Sequence, residues 1–279
     1  MTFSLVSLFH KKQIKKQTTM TYLKLRTLPT ATVVPVEPLP AYTVTKKEHQ
    51  LNERTMPLDE NQIQRLLEQG YTRGLAESLD QMREIFALRY WIIDNSGSMQ
   101  KADGHRIVPS RNRELVKMVP CSRWEEIVEC VDYHIKMAGL INAPTKFRLL
   151  NDPGKHVGPQ QFSVAEDPAR TSYDVHEATS IMRKAQPGGC TPLVSHILEI
   201  HHEISKVAPE LRRLGKKVAI VIATDGLPTD ERGYGGPQHN QQFVDALRLL
   251  EELPVWVVIR LCTDEEKVVD FYNDLGKLC

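Results

Sequence analysis

Two carboxylates and three hydroxyls, carried by three separate segments, are the residues of this chain best suited to chemistry. Asp94-Asn95-Ser96-Gly97-Ser98-Met99 offers one carboxylate and two hydroxyls on alternate residues, and Gly97 permits the tight turn that lets three oxygens converge. Gly188-Gly189-Cys190-Thr191-Pro192-Leu193 places Thr191 just ahead of a proline suited to the first position of a helix. Ala223-Thr224-Asp225-Gly226 adds the second carboxylate. Each segment alone reads as a turn, a helix cap or a strand end. Together, Asp94, Ser96, Ser98, Thr191 and Asp225 form a set of hard oxygen donors without His or Cys, the chemistry of a Mg²⁺ or Mn²⁺ site.

The elements around these segments must bring them to one place. From Leu88, apolar runs of strand length alternate with amphipathic stretches of helical period. The predicted strands are Leu88–Ile93, Lys146–Leu150, Gln161–Ala165, Lys217–Thr224 and Val255–Leu261. The predicted helices are Trp124–Leu140, Tyr173–Ala185, Pro192–Val207, Gln241–Glu252 and Asp264–Gly276. Continuous apolar strands imply burial on both faces, so the fold class is α/β: a doubly wound, mostly parallel, Rossmann-like sheet with helices on both faces. Ligands collect at the carboxyl ends of such strands, where Asp94 and Asp225 stand.

Ahead of this region, Asp59 can cap a helix with Ile63, Leu66 and Leu67 on one face, and Gly70 is placed to end it. A second helix over Thr72–Phe86 completes a helical hairpin, expected to pack on the following domain rather than to bind a partner.

The three motifs, Asp-x-Ser-x-Ser at 94–98, Gly-Gly-x-Thr-Pro-Leu at 188–193 and Thr-Asp-Gly at 224–226, resemble the metal-ion-dependent adhesion site of the von Willebrand factor A family. The resemblance covers residues 88–279, about two thirds of the chain, and Pro228-Thr229-Asp230 is similar to intracellular members. It implies a Mg²⁺ or Mn²⁺ ion coordinated directly by Ser96 and Ser98, by Thr191 directly or through water, and by Asp94 and Asp225 mainly through water. It also implies a partner protein whose Asp or Glu completes the coordination. A dication held by neutral hydroxyls and water stays electrophilic. In the family a further strand and helix normally follow the helix that here ends near Gly276. The sheet is therefore expected to lack an edge strand, to borrow one from the N-terminal arm, or to continue in a longer gene product.

Other chemistries lack their signatures. No GxxxxGK[ST] phosphate loop exists, Ser96 lies in no GxSxG elbow, and His196, His201 and His202 lack the spacing of a zinc pair. The expectation is a non-enzymatic interaction module. A hydrolase or phosphatase using the same ion, with Asp103 or His105 as the nearby base, is the rival, and a domain merely stabilised by its ion is a third reading.

Charge separates the regions: 36 Lys+Arg against 35 Asp+Glu give +1 overall, but residues 1–36 hold six basic residues and no acid. A dedicated nucleic-acid binder would carry a basic excess on its folded part, which here is mildly acidic. No apolar run reaches the roughly 18 residues of a membrane span. Five scattered cysteines suggest a reducing compartment, hence an intracellular, cytoplasmic setting, with residues 1–19 leaving organelle targeting open. The expected organisation is a basic, Pro-rich, flexible arm over 1–56, the hairpin over 57–87 and the α/β domain over 88–279.

Overall fold

The computed structural model describes residues 20–23, 56–109 and 116–278. The acid-free stretch 1–19 and the proline-spaced segment 29–40 lie outside the described residues. A six-stranded sheet has the order β1 (Met20–Leu23), β8 (Val255–Leu261), β7 (Lys217–Thr224), β2 (Phe86–Ile93), β5 (Thr145–Leu149), β6 (Gln161–Val164). The four central strands are parallel, and both edge strands run antiparallel to their neighbours. The edge beside β8 is thus taken by four residues of the N-terminal arm, with Met20 opposite Arg260.

Side chains of a strand alternate between faces, and β2 divides its own between two cores. Tyr90 and Ile92 join Ile220, Ile222, Val257 and Ile259 under α5 (Leu193–Arg213), α6 (Pro237–Glu251) and α7 (Glu266–Leu278). Trp91 and Ile93 join Phe147 and Leu149 under α3 (Arg123–Leu140) and α4 (Thr171–Lys184). Covering helices on both faces make the sheet doubly wound, and they explain the apolar runs of β7 and of the second half of β2.

Local signals set the helix starts. Asp59 caps α1 (Glu60–Glu68) in a reciprocal box with Gln62, Thr72 caps α2 (Arg73–Ile85), and Ser122 forms a second box with Glu125 at the head of α3. The α1/α2 pair buries Leu66, Tyr71 and Ala76 against Met137, Ile141 and Ala143 at the end of α3. Two hydrogen bonds fasten it there: Gln62 Nε2 donates to the Leu140 carbonyl at 2.7 Å, and the hydroxyls of Tyr71 and Tyr133 lie 2.5 Å apart.

Most boundaries shift by one or two residues from the sequence expectation, with Phe86 opening β2 rather than closing α2, and three features differ more. Helix α5 does not stop at Val207 but runs through Pro209 to Arg213, because Ala208 and Leu211 continue its buried face and outweigh the missing proline N–H. Helix α6 starts at Pro237, one turn before Gln241, with Gly236 ahead of it at φ 125°. An antiparallel ribbon, β3 (Gly104–Pro109) with β4 (Val116–Cys121), stands where no element is predicted. At its base a Cβ on Gly104 would lie 2.7 Å from the Ser122 carbonyl, so the close approach to α3 requires glycine.

Candidate metal centre

The five oxygen-bearing residues come from loops at the carboxyl ends of β2 and β7 and from the segment leading into α5. Asp94 is fully buried at the end of β2, and each of its oxygens accepts a hydrogen bond, one from the Ser96 amide at 2.8 Å and one from the Thr224 hydroxyl at 2.6 Å. The Ser96 and Ser98 hydroxyls are 3.0 Å apart, and Ser98 donates to Asp225 Oδ1 at 2.7 Å. Thr191 is buried, with its hydroxyl beside Gly226, 3.8 Å from where a Cβ on that glycine would stand. Asp94, Ser96, Ser98 and Asp225 therefore belong to one contiguous polar network, and Thr191 lies beside the loop that follows Asp225.

The loops are locked to one another by hydrogen bonds among backbone groups and side chains other than the five oxygen donors. Gly188 N–H donates to the Asn95 carbonyl at 2.7 Å and Gly97 N–H to the Gly189 carbonyl at 3.2 Å, joining the first motif to the second. Asn151, just past β5, receives the Asn95 amide on its carbonyl at 3.0 Å and returns its N–H to Asn95 Oδ1 at 2.8 Å. Its side chain also donates to the Cys190 carbonyl at 2.8 Å. Thr229 ties the second motif to the third: its hydroxyl accepts from Thr191 N–H, and its own N–H donates to the Thr191 carbonyl, both at 3.0 Å. From α7, the buried Tyr272 hydroxyl donates to the Gly226 carbonyl at 2.9 Å.

Arg123, in the first turn of α3, is the other unanticipated member. Its guanidinium is 1 % exposed and donates through Nη1 to Asp225 Oδ2 at 2.8 Å. On its other side it grips Asp103 with two hydrogen bonds, at 2.7 and 2.5 Å, and reaches Glu265 at 2.8 Å. Lys101 pairs with the same Glu265. The sequence carries one signal for Arg123: the Ser122–Glu125 capping box puts a cation at a helix N-terminus, where the helix dipole disfavours it and a compensating anion is needed.

The donor set fits a small divalent cation. Asp94 and Asp225 are buried like charges, and burial first, then the Asp225 charge, pushes the Asp94 carboxyl up to about 6. Both oxygens of each carboxylate are engaged by protein donors, whereas the serine hydroxyls keep free lone pairs. Such an arrangement suits hydroxyls as direct ligands and carboxylates as the balancing charge. Among the described residues no three His, Cys, Asp or Glu side chains group as a metal cage. His196 instead binds the Leu150 carbonyl through Nε2 at 3.0 Å.

Beside the seam between Asn95 and Gly188 opens a cavity of about 440 Å³, lined also by Asp152, His156, Lys184 and Gln186. No helix among the described residues is long and apolar enough to cross a membrane. Compared with known proteins, the chain matches no protein-family model and no curated protein sequence.

Proposed function

We propose that this chain is a metal-dependent protein-interaction module of the von Willebrand factor A type, working inside the cell. Ser96, Ser98 and Thr191 would hold Mg²⁺ or Mn²⁺, with Asp94 and Asp225 supplying the balancing charge. When bound, the ion supplies an electrophilic position that an Asp or Glu of a partner protein can fill. The observation that carries the reading is the continuous network from Asp94 through Ser96 and Ser98 to Asp225, built from two strand-end loops and locked to the Thr191 segment.

The chain's own residues do the positioning. Thr224 and the Ser96 amide hold Asp94 in one orientation. Asn95, Asn151 and Thr229 fix the spacing of the loops, so the hydroxyls are organised before any ligand arrives. The cavity beside Gly188 leaves room for a partner side chain next to the motif.

The hydrolase reading needs a base, and Asp103 suits that role poorly. The two-pronged hydrogen bond from Arg123 holds its carboxyl below the usual carboxylate range. Water proton relaxation with Mn²⁺ tests the reading. Protein-bound Mn²⁺ is expected to enhance relaxation, acetate or a Glu-bearing peptide to lower the enhancement by displacing a coordinated water, and Ser96→Ala with Ser98→Ala to remove both effects. Turnover of a phosphoester panel that disappears in Ser96→Ala would favour the hydrolase instead.

A further inference from the structure

Arg123 is the most deeply buried charge near the motif that the metal reading does not use. One of its nitrogens stands 2.8 Å from Asp225 Oδ2, while Asp225 Oδ1 takes the Ser98 hydroxyl at 2.7 Å. A single carboxylate thus separates a fixed cation from the hydroxyls. Both members of the pair are essentially sealed from solvent, where charges act on one another far more strongly than in water. Asp103 and Glu265, which complete the guanidinium's partners, are nearly half exposed and compensate it from the wetter side.

We propose that Arg123 is a built-in counter-cation that sets the charge of the site. It offsets part of the negative charge of Asp225, whereas the buried Asp94 accepts only from the neutral Ser96 amide and Thr224 hydroxyl. A divalent ion there is held loosely and stays short of neutralising charge, so an anionic ligand from the partner binds it strongly. The arginine trades intrinsic metal affinity for dependence on the partner's carboxylate. The inference rests on the metal reading above and deepens it.

Two substitutions break the same ion pair with opposite electrostatic sign. Arg123→Gln removes a positive charge and is expected to tighten Mn²⁺ binding at least about tenfold. Asp103→Asn removes a negative charge and leaves more of the guanidinium's field to act on the site, so Mn²⁺ is expected to bind about two- to fivefold more weakly. A purely structural role for the pair would move both variants the same way. Arg123→Lys keeps the charge and is expected to hold Mn²⁺ within about threefold of the wild type, which covers the case of a Gln variant that folds poorly.

The test is calorimetric titration of Mn²⁺ into the full chain, followed by acetate titration of the Mn²⁺-loaded protein, with circular dichroism in EDTA to verify folding. Tighter metal with weaker acetate in Arg123→Gln, and weaker metal in Asp103→Asn, is the expected pattern. Unchanged or weakened metal binding in a folded Arg123→Gln, or shifts of the same sign in both variants, would overturn the inference while leaving the metal reading intact. Mn²⁺ uptake by neither the wild type nor Arg123→Gln would remove the metal reading and this inference with it.

Discussion

The Asn95 side chain clamps the backbone of Asn151: its amide donates to the Asn151 carbonyl at 3.0 Å, and its Oδ1 accepts the Asn151 N–H at 2.8 Å. The exchange ties the loop after β2 to the loop after β5, and the Asn151 side chain extends the tie to Cys190. Truncating Asn151 to Ala removes the side-chain link and strands the Cys190 N–H, which bonds to Asn151 Oδ1 at 3.2 Å. A loss of about 1–3 kcal/mol is expected in urea denaturation, together with weaker Mn²⁺ binding, since the second motif loses its hold at Cys190. Full stability in the variant would contradict this.

Neighbouring glycines of the second motif should respond differently to alanine. Gly189 sits at φ 86°, and a Cβ there would lie 2.4 Å from Asn151 Oδ1, whereas a Cβ on Gly188 would meet no atom within 4 Å. Gly189→Ala combines left-handed strain of roughly 1–2 kcal/mol with a clash against the loop anchor. Gly188→Ala is expected to stay within about 0.5 kcal/mol of the parent. Denaturation midpoints of the two variants settle the contrast; equal midpoints would speak against the loop geometry described.

Stability should fall in mild acid because of His134. Its ring lies 4.7 Å from that of Trp91; burial, then the charges of Arg260 and Arg89, pushes its pKa down to about 4. In the unfolded chain the imidazole takes up its proton near 6.5. The unfolded state therefore binds the extra proton between about pH 6.5 and 4, and stability is full above that window and lost on descending it. The total reaches roughly 3 kcal/mol for this one group. Comparing urea denaturation of His134→Phe with wild type from pH 7 to 4 checks it: the variant should lose a distinct part of the slope.

The helical hairpin should unfold with the sheet rather than apart from it. Leu66 is fully buried among Tyr71, Met137 and Ile141, so the hairpin shares a core cluster with α3. Leu66→Ala is expected to cost about 2–5 kcal/mol in a single transition, with Mn²⁺ affinity unchanged in the folded fraction. A separate early transition would show an independent unit.

Strands buried on both faces are the part of this fold most legible in sequence. Lys217–Thr224 and Val255–Leu261 have the predicted limits, because helices on both faces of the sheet keep most of their positions apolar. Helix α5 was harder to read at its end: Pro209 is a local stop signal, yet burial of Leu211 overrides it. The β3/β4 ribbon was illegible because both strands carry a proline and no clean alternation of apolar residues. At the site, the oxygen donors were visible through their spacing within each motif. The contacts of Arg123, Asn151 and Thr229 are not legible, since each acts on a residue distant in sequence and only the folded loops bring them together.

Mg²⁺-dependent thermal unfolding decides whether the Ser96 and Ser98 hydroxyls, just past the carboxyl end of β2, hold a divalent cation. At a Mg²⁺ concentration a hundredfold above its dissociation constant, the wild type should gain about 2.7 kcal/mol, or several degrees in Tm, over the same protein in EDTA. The Ser96→Ala, Ser98→Ala double variant should melt at one temperature in both buffers. Identical wild-type melting curves with Mg²⁺, Mn²⁺ and EDTA would contradict the account.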